Sequence, residues 1–372
     1  MFASIISTIL LWAGYALVGI GWCVVILLCY FQFRGMKINA TGQEPFDARA
    51  CEKAGYRHIE VEVWDAWAKK KRKRHVAYLV FGSQKADAKV SVFCHGSGLD
   101  ALAAKYFMPE EALLSMNVKI IAPDLPGHGF TCMQKARRIR DWPKDDLEPI
   151  LAKEGVERFV VQGFSFGTAH ALACGVYFPK GKCVGVGLNG PFLDIPLCDE
   201  IASSLPSGKF RCDARGCPKT SFVDSCHGSW CLAALCWSLG LSVSAPWLAT
   251  LVAPEMSVIS KDKEGEGEEI YRLLGRGFAT AGRRGLIGLA YEDANYEVCG
   301  VWGFDPRALK CRALSVWYAQ DDNASPPEHG RWLAEEFGKQ TASGAATTSD
   351  LLLEVRKRVG GWVSGCLNGY EW

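Results

Sequence analysis

The chain has 372 residues, of which 49% are apolar, and a net charge of +2. This length suits one large α/β domain with an appendage, and the apolar content allows a sizeable core. The near-neutral charge provides no general attraction to nucleic acid, so no nucleic-acid partner is expected. The sixteen cysteines form no evenly spaced framework, so we expect reduced thiols rather than disulfides.

The chain begins with an uncharged apolar segment, residues 2–33. A membrane-spanning helix needs about 20 apolar residues, so this run predicts a transmembrane anchor over 1–33 and a juxtamembrane linker over 34–56. A cleaved signal peptide is the first alternative, but the segment lacks an early Lys or Arg, is too long, and has no clear small-residue cleavage site. A buried core helix is the second, although uniform hydrophobicity over this length is rare in soluble domains.

The charges that flank this segment predict its orientation. Positive residues lie only on its C-terminal side: Arg34, Lys37, Arg49, Lys53 and Arg57. The positive-inside rule therefore predicts a single-pass membrane protein whose main domain is cytosolic. Two glycosylation sequons, at Asn39 and Asn323, point the other way.

Residues 58–64 alternate apolar and polar side chains, and 75–81 read as a second strand, which predicts a hairpin. Six basic residues in a row, 69–74, lie between them and are interpreted as a solvated hairpin tip. The alternatives are a nuclear localisation signal or a contact with anionic lipid. The neighbouring anchor makes lipid contact the better of these two.

Three short apolar runs then predict buried strands, each followed by residues that can do chemistry. Residues 90–94 lead into HGSG at 95–98, and 118–122 lead into DLPGHG at 124–129. Residues 158–162 lead into GFSFG at 163–167, and 168–176 read as a helix. Alternating strands and helices predict a parallel sheet with helices on both faces, and ligands bind at the carboxyl ends of such strands.

The GFSFG motif predicts a nucleophile elbow with Ser165 as the nucleophile. The turn is so sharp that Gly163 and Gly167 have to be small. The backbone amides of Ser97 and Phe166 are the candidate oxyanion hole. His95, His128 and His170 are interpreted as packing residues.

A later strand, 313–319, precedes the candidate acid. A carboxylate at this place would orient a base histidine, and both Asp321 and Asp322 are available.

These motifs resemble the α/β-hydrolase superfamily, in particular its lid-containing serine hydrolases. The matching stretches cover about residues 57–338: VFCHGSGLD, APDLPGHG, VVQGFSFGTAHALA, GLNGPF, VWGFDPRAL and VWYAQDDNASPPEHGRWLAEEF. The resemblance implies an α/β fold with a mostly parallel central sheet and a helical lid. It implies hydrolysis of an ester, thioester or related acyl bond without cofactor or metal, but it does not specify the substrate. The apolar residues of the lid predict a small apolar or lipid-like substrate. The family's spacing of the acid selects Asp322.

The same resemblance divides the chain into a core part 57–192, a lid 193–306 and a second core part 307–372. The lid contains a cysteine-rich insertion near 198–236, for which a zinc site is conceivable but irregularly spaced. It also contains an uncharged stretch, 228–254, which we interpret as apolar lid helices rather than a second membrane span.

The family's catalytic histidine is not identifiable. It would follow a last strand, for which 351–357 is the candidate, but Trp362 stands near the expected place and tryptophan cannot act as a base. Three explanations compete: an incorrect 3′ end of the gene model, a non-catalytic relative that binds lipid or protein, or a substitute base. His329, the last histidine in the chain, is the nearest candidate for that base.

Overall fold

The computed structural model describes residues 12, 14–16, 18–23, 25–26, 46–65, 69–96, 99–132, 134, 137–204, 301–318 and 325–337. The described residues between Trp12 and Ile26 are helical and exposed. Within these ranges, no helix is both long enough and apolar enough to cross a membrane. Most of the predicted span 2–33 lies outside the described residues, as do lid residues 205–300 and the tail from 338 onwards.

The domain is built on a seven-stranded sheet with the order β1-β2-β4-β3-β5-β6-β7. The β1–β2 and β2–β4 pairs are antiparallel, and the remaining pairs are parallel. The predicted mostly parallel sheet is therefore confirmed. Its strands are β1 (Arg57–Asp65), β2 (Lys70–Gly82), β3 (Lys89–Cys94), β4 (Val118–Pro123), β5 (Phe159–Phe164), β6 (Cys183–Asn189) and β7 (Ala313–Trp317).

Helices cover both faces of the sheet, as the alternation of strands and helices predicts. The described helices of the domain are α1 (Ala48–Lys53), α2 (Ala103–Phe107), α3 (Glu110–Ser115), α4 (Glu148–Lys153), α5 (Gly167–Tyr177), α6 (Ile195–Ser204) and α7 (Pro327–Phe337). Strand β3 illustrates the division of the core. Val92 and Cys94 point into the cluster that contains α5, whereas Phe93 points into the cluster that contains α2. Burial on both faces explains why the central strands are almost continuously apolar.

The basic run 69–74 lies mainly within strand β2, so its interpretation as a hairpin tip was wrong. Lys71 and Lys73 pair across the hairpin with Glu62 and Glu60, at 2.8 and 2.7 Å. Arg74 is buried, donates to the Cys132 carbonyl at 3.0 Å and pairs with the carboxylate of Asp146. Acidic partners on neighbouring segments allow these residues to extend the strand.

Strand β1 forms one edge of the sheet, and two side chains cover carbonyl groups on it. Lys153 Nζ donates to the His58 carbonyl at 3.0 Å. Gln134 Nε2 donates to the Trp64 carbonyl at 3.3 Å.

The cysteines that the structure describes are free thiols, and all of them except Cys23 are buried. Burial raises the pKa of the Cys94, Cys174 and Cys183 thiols well above the ordinary value. Because the thiolate is the reactive form, these buried cysteines are unreactive packing residues.

Candidate active site

Ser165 occupies the sharp turn between strand β5 and helix α5. Its φ of 51° lies in the left-handed region, which non-glycine residues seldom adopt. The Ser165 amide donates to the Asn189 carbonyl at 2.8 Å, and the Thr168 amide and hydroxyl donate to the Ser165 carbonyl at 2.9 and 2.6 Å. These bonds hold the strained backbone from both sides. The structure thus contains the strand-turn-helix context that the motif predicts.

The two glycines of the motif are required by close backbone contacts. A Cβ atom on Gly163 would lie 2.5 Å from the Gly167 carbonyl oxygen and from Thr168 Cα. A Cβ atom on Gly167 would overlap the Cys94 carbonyl oxygen. Since these obstacles are backbone atoms, side-chain rearrangement cannot relieve them.

The side chain of Ser165 is partly exposed. No residue that the structure describes accepts a hydrogen bond from Ser165 Oγ. The serine immediately precedes α5, whose N-terminal end carries partial positive charge. Phe166 is the N-cap of this helix, so its amide belongs to the first turn, where helical acceptors are lacking. The surroundings therefore favour negative charge next to the hydroxyl.

The loop after strand β3 lies against the nucleophile. A Cβ atom placed on Gly96 would be 3.1 Å from Ser165 Cβ and 3.0 Å from the ring of Phe164. The HGSG loop and the GFSFG turn therefore meet, as an oxyanion hole shared between them requires. Ser97, the predicted loop donor, lies outside the described residues.

His95 is buried and fixes the backbone of this loop. Its Nδ1 lies 2.9 Å from the Gly96 carbonyl oxygen, and its Nε2 accepts a hydrogen bond from the Leu125 amide at 2.9 Å. This pair of contacts assigns the proton to Nδ1. Burial, followed by the nearby imidazole of His128, lowers the pKa of His95 to about 3. His95 is thus a neutral structural residue, in agreement with its interpretation from the sequence.

Asp124 ties the same loop to the segment that follows β4. One carboxylate oxygen accepts from the Ala101 amide at 2.7 Å, and the other accepts from the Phe130 amide at 2.7 Å. A Cβ atom on Gly129 would overlap this carboxylate, which explains the glycine. Burial and then the charge of Asp100 raise the pKa of Asp124 above its ordinary value.

The other two histidines near these loops also have packing contacts. His128 Nδ1 lies 3.3 Å from the Pro126 carbonyl oxygen, and its ring packs edge-on against His95 at 5.1 Å. The ring of His170 packs edge-on against Trp142, with 5.2 Å between centroids. Burial lowers the pKa of His170 well below its ordinary value, so this imidazole is neutral.

His329, the candidate substitute base, is buried on helix α7. Its Nδ1 accepts a hydrogen bond from the Leu193 amide at 3.2 Å, and its Nε2 lies 3.6 Å from Cys198 Sγ. In a neutral ring the proton is then on Nε2, and the accepting nitrogen is already occupied. These contacts favour an anchoring role, and the assignment of His329 as a base remains a prediction.

The predicted acid, Asp322, follows strand β7 in the sequence. Strand β7 ends at Trp317, and the chain is described as far as Tyr318. Asp321 and Asp322 lie outside the described residues, as does the candidate last strand 351–357. Ser325, where the description resumes, is buried.

Sequence reasoning missed a contact between the two ends of the lid segment. Asp194, just before α6, accepts a hydrogen bond from the Trp302 amide at 3.3 Å. Trp302 is completely buried and packs against Phe304 with 5.5 Å between ring centroids. The entry to and the exit from the predicted lid are therefore joined at their base. The aspartate in GLNGPFLD and the tryptophan in VWGFDP are the sequence signals for this contact.

Comparison with a model of the alpha/beta hydrolase family gives a match over residues 92–347, which includes both the HGSG and GFSFG motifs. No match was found among curated protein sequences.

Several solved structures have a similar fold. An esterase, RhEst1, from Rhodococcus sp. ECU1013 is 18% identical with a TM-score of 0.52, and the alignment covers 84% of this chain and 99% of that one. A thermophilic esterase from Thermogutta terrifontis is 17% identical with a TM-score of 0.53, covering 84% and 98%. An alpha/beta hydrolase enzyme from a Medee basin deep-sea metagenome library is 14% identical with a TM-score of 0.54, covering 80% and 96%. At these identities the similarity establishes the fold alone.

Proposed function

Since the chain belongs to the alpha/beta hydrolase family, we propose that it is a membrane-anchored serine hydrolase that cleaves an ester, thioester or related acyl bond of an apolar substrate. This family membership confirms the resemblance to the α/β-hydrolase superfamily that the sequence motifs indicate. The observation that carries the proposal is the left-handed turn at Ser165, which the packing of Gly163 and Gly167 enforces beside the HGSG loop. Two of the similar structures are esterases, which supports the ester class.

In this proposal Ser165 Oγ attacks the acyl carbonyl and loses its proton to a base. The carbonyl oxygen becomes an oxyanion that the amides of Ser97 and Phe166 stabilise. His95 supports the first of these donors through its contact with the Gly96 carbonyl. As the intermediate collapses, the base gives its proton to the departing alcohol or thiol, which leaves the acyl group on Ser165. Water then attacks this acyl-serine and releases the acid.

The residue that takes the proton from Ser165 decides between two candidate functions. Asp322 would orient a histidine, yet the chain has no histidine after His329, and the accepting nitrogen of His329 is occupied by the Leu193 amide. This observation favours a second candidate function, a catalytically impaired relative that uses the same fold to bind a lipid or a protein.

A fluorophosphonate probe separates the two functions. The probe forms a covalent bond with a serine only when its hydroxyl is activated. Labelling of the wild-type chain that is lost in a Ser165→Ala variant supports the hydrolase. The absence of labelling in a folded chain supports the binding protein. Labelling that persists in Ser165→Ala would contradict Ser165 as the nucleophile.

The proposed anchor rests on residues 2–33, and the exposed apolar side chains of Val18, Ile20 and Trp22 support it. Deleting residues 1–33 should release the protein from membranes. Carbonate-resistant pelleting of this truncated form would contradict a single anchor and would favour a second span at 228–254.

We place the catalytic domain in the cytosol, because the basic residues follow the span. In sealed microsomes, protease added outside should digest the domain. Complete protection, or a glycan on Asn323, would reverse this topology.

A further inference from the structure

One face of the β1–β2 hairpin carries exposed lysines and a tryptophan. Residues that pair in an antiparallel ladder share a face, and Trp64 pairs with Lys71 while Glu62 pairs with Lys73. We call the surface formed by Glu60, Glu62, Trp64, Lys71 and Lys73 the hairpin face. Trp64 is 59% exposed, and the side chains of Lys71 and Lys73 are 71% and 70% exposed. A tryptophan this exposed lacks the packing that a core residue would have.

The chain arriving from the N-terminal segment meets the domain on this same face. Phe46 stacks on the ring of His75 with 4.0 Å between centroids and meets the ring of His58 edge-on at 4.9 Å. His75 pairs with Glu60, so both aromatic contacts lie on the hairpin face side of the sheet. Residues 34–45 join the predicted span to Phe46 and reach at most about 40 Å when fully extended. Phe46, at one end of this surface, is therefore held within that distance of the predicted span.

The chemistry of the hairpin face matches a lipid surface that carries negative charge. Lys69, in the turn, and Lys70, the first residue of β2, are also exposed. Lys70 is in register with Asp65, on the opposite face from Lys71, so these two lysines add positive charge at the open end of the hairpin and not on the hairpin face itself. The described part of the hairpin thus carries five basic residues, 69–73, against Glu60, Glu62 and Asp65, and exposed ion pairs with the two glutamates are weak enough to exchange for phosphate groups. Tryptophan favours the membrane–water interface, and basic clusters favour the anionic cytoplasmic leaflet.

We propose that the hairpin face lies on the anionic surface of the bilayer that the N-terminal helix enters, a proposal that rests on the membrane anchor above. Phe46 holds the end of the linker against the hairpin, the lysines contact lipid headgroups, and Trp64 inserts at the interface. The catalytic domain then has a fixed orientation toward the membrane instead of swinging on a tether.

Site-resolved lysine acetylation of the full chain tests this orientation. The protein is reconstituted into vesicles of phosphatidylcholine, with or without phosphatidylserine, and treated with a membrane-impermeant acylating reagent. Acetylation of Lys71 and Lys73 should slow at least about threefold when phosphatidylserine is present, because each basic residue gains attraction to the surface. Lys85 and Lys180, which are exposed elsewhere on the domain, are the matched references and should not change.

Two variants sharpen the result. Replacing Lys69 and Lys70 with glutamine should reduce the protection of Lys71 and Lys73. Quenching of tryptophan emission by brominated lipid should be weaker in Trp64→Phe than in the wild type. Equal acetylation in both lipids, or equal slowing at Lys85 and Lys180, would overturn the docking while vesicle flotation still supports the anchor. Failure to float with either vesicle would overturn both.

Discussion

The ring of His329 accepts a hydrogen bond from the backbone amide of Leu193, 3.2 Å away, and so joins helix α7 to the segment that follows strand β6. Cys198 extends this contact, because its sulfur lies 3.6 Å from His329 Nε2 and 3.7 Å from the Leu193 carbonyl oxygen. The three residues close a buried ring of contacts at the entry to the predicted lid.

Replacing His329 with alanine should therefore destabilise the fold. It leaves the buried Leu193 amide without an acceptor, which costs about 1–3 kcal/mol. His329→Asn, which retains an acceptor, should lose less. Denaturant unfolding measures both variants. If His329→Ala unfolds like the wild type but abolishes fluorophosphonate labelling of Ser165, the anchoring role is wrong and the substitute base is right.

Gly167→Ala should disrupt the elbow. The added methyl group meets the Cys94 carbonyl and cannot be relieved by side-chain movement, so a loss of at least about 1–3 kcal/mol in unfolding free energy is expected, together with loss of probe labelling. Gly181→Ala is the matched control, since no described residue other than its two chain neighbours comes within 4 Å of its added Cβ, and it should stay within about 0.5 kcal/mol. Equal stability of the two variants would contradict the tight turn.

The buried pair of Arg74 and Asp146 should respond asymmetrically to mutation. Arg74→Met leaves a buried carboxylate without its partner, which costs about 3–5 kcal/mol in unfolding free energy. The double variant Arg74→Met/Asp146→Leu should recover much of this loss. Lys73→Met, one position away and exposed, should change stability little. If the double variant is as unstable as Arg74→Met alone, the unpaired Asp146 carboxylate is not what destabilises Arg74→Met.

His95 should make the fold sensitive to acid. Its pKa is lowered to about 3 in the folded chain from an ordinary value of 6.5, because burial disfavours the imidazolium. Between these values the unfolded chain binds one more proton at this residue than the folded chain does. The stabilisation that the neutral His95 gives the folded chain is therefore complete above about pH 6.5 and is lost as pH falls toward 3.

In a His95→Asn variant, the proton uptake on unfolding should fall by about one between pH 4 and 6. The pH dependence of the unfolding free energy measures this number. An unchanged slope would mean that His95 is not the titrating group.

A histidine near the expected end of the fold should raise activity. Trp362→His would place a histidine near the position that the family resemblance gives to the base, and should accelerate hydrolysis of p-nitrophenyl esters by about 10²–10⁴-fold. Ser165→Ala in the same background should abolish the gain. Substantial turnover by the chain as it stands, lost in Ser165→Ala, would instead point to a substitute base.

Much of the sheet could be predicted from sequence because buried parallel strands are apolar runs that end in turn residues. Strand β6 was not predicted, since the glycines in CVGVGLN weaken the strand pattern and only burial between β5 and β7 stabilises it. The basic run 69–74 was misread for a related reason. Its partners Glu60, Glu62 and Asp146 lie on other segments, and local composition does not reveal them.

The nucleophile was predictable because the geometry of the turn imposes glycines at fixed offsets from Ser165. The contact between Asp194 and Trp302 was not, since it joins residues 108 positions apart through a backbone amide, and any residue type could supply that amide. The anchoring contacts of His329 were hidden for the same reason, because Leu193 also contributes its backbone amide and not its side chain.

The edge strand β1 has a consequence for how separate molecules meet. An uncovered edge offers carbonyl groups to which another chain can add a strand, and such additions begin aggregation. Lys153 occupies the carbonyl of His58, and Gln134 occupies that of Trp64, near the two ends of β1. A second chain would have to displace a charged ammonium group at one end and an amide at the other before it could extend the sheet.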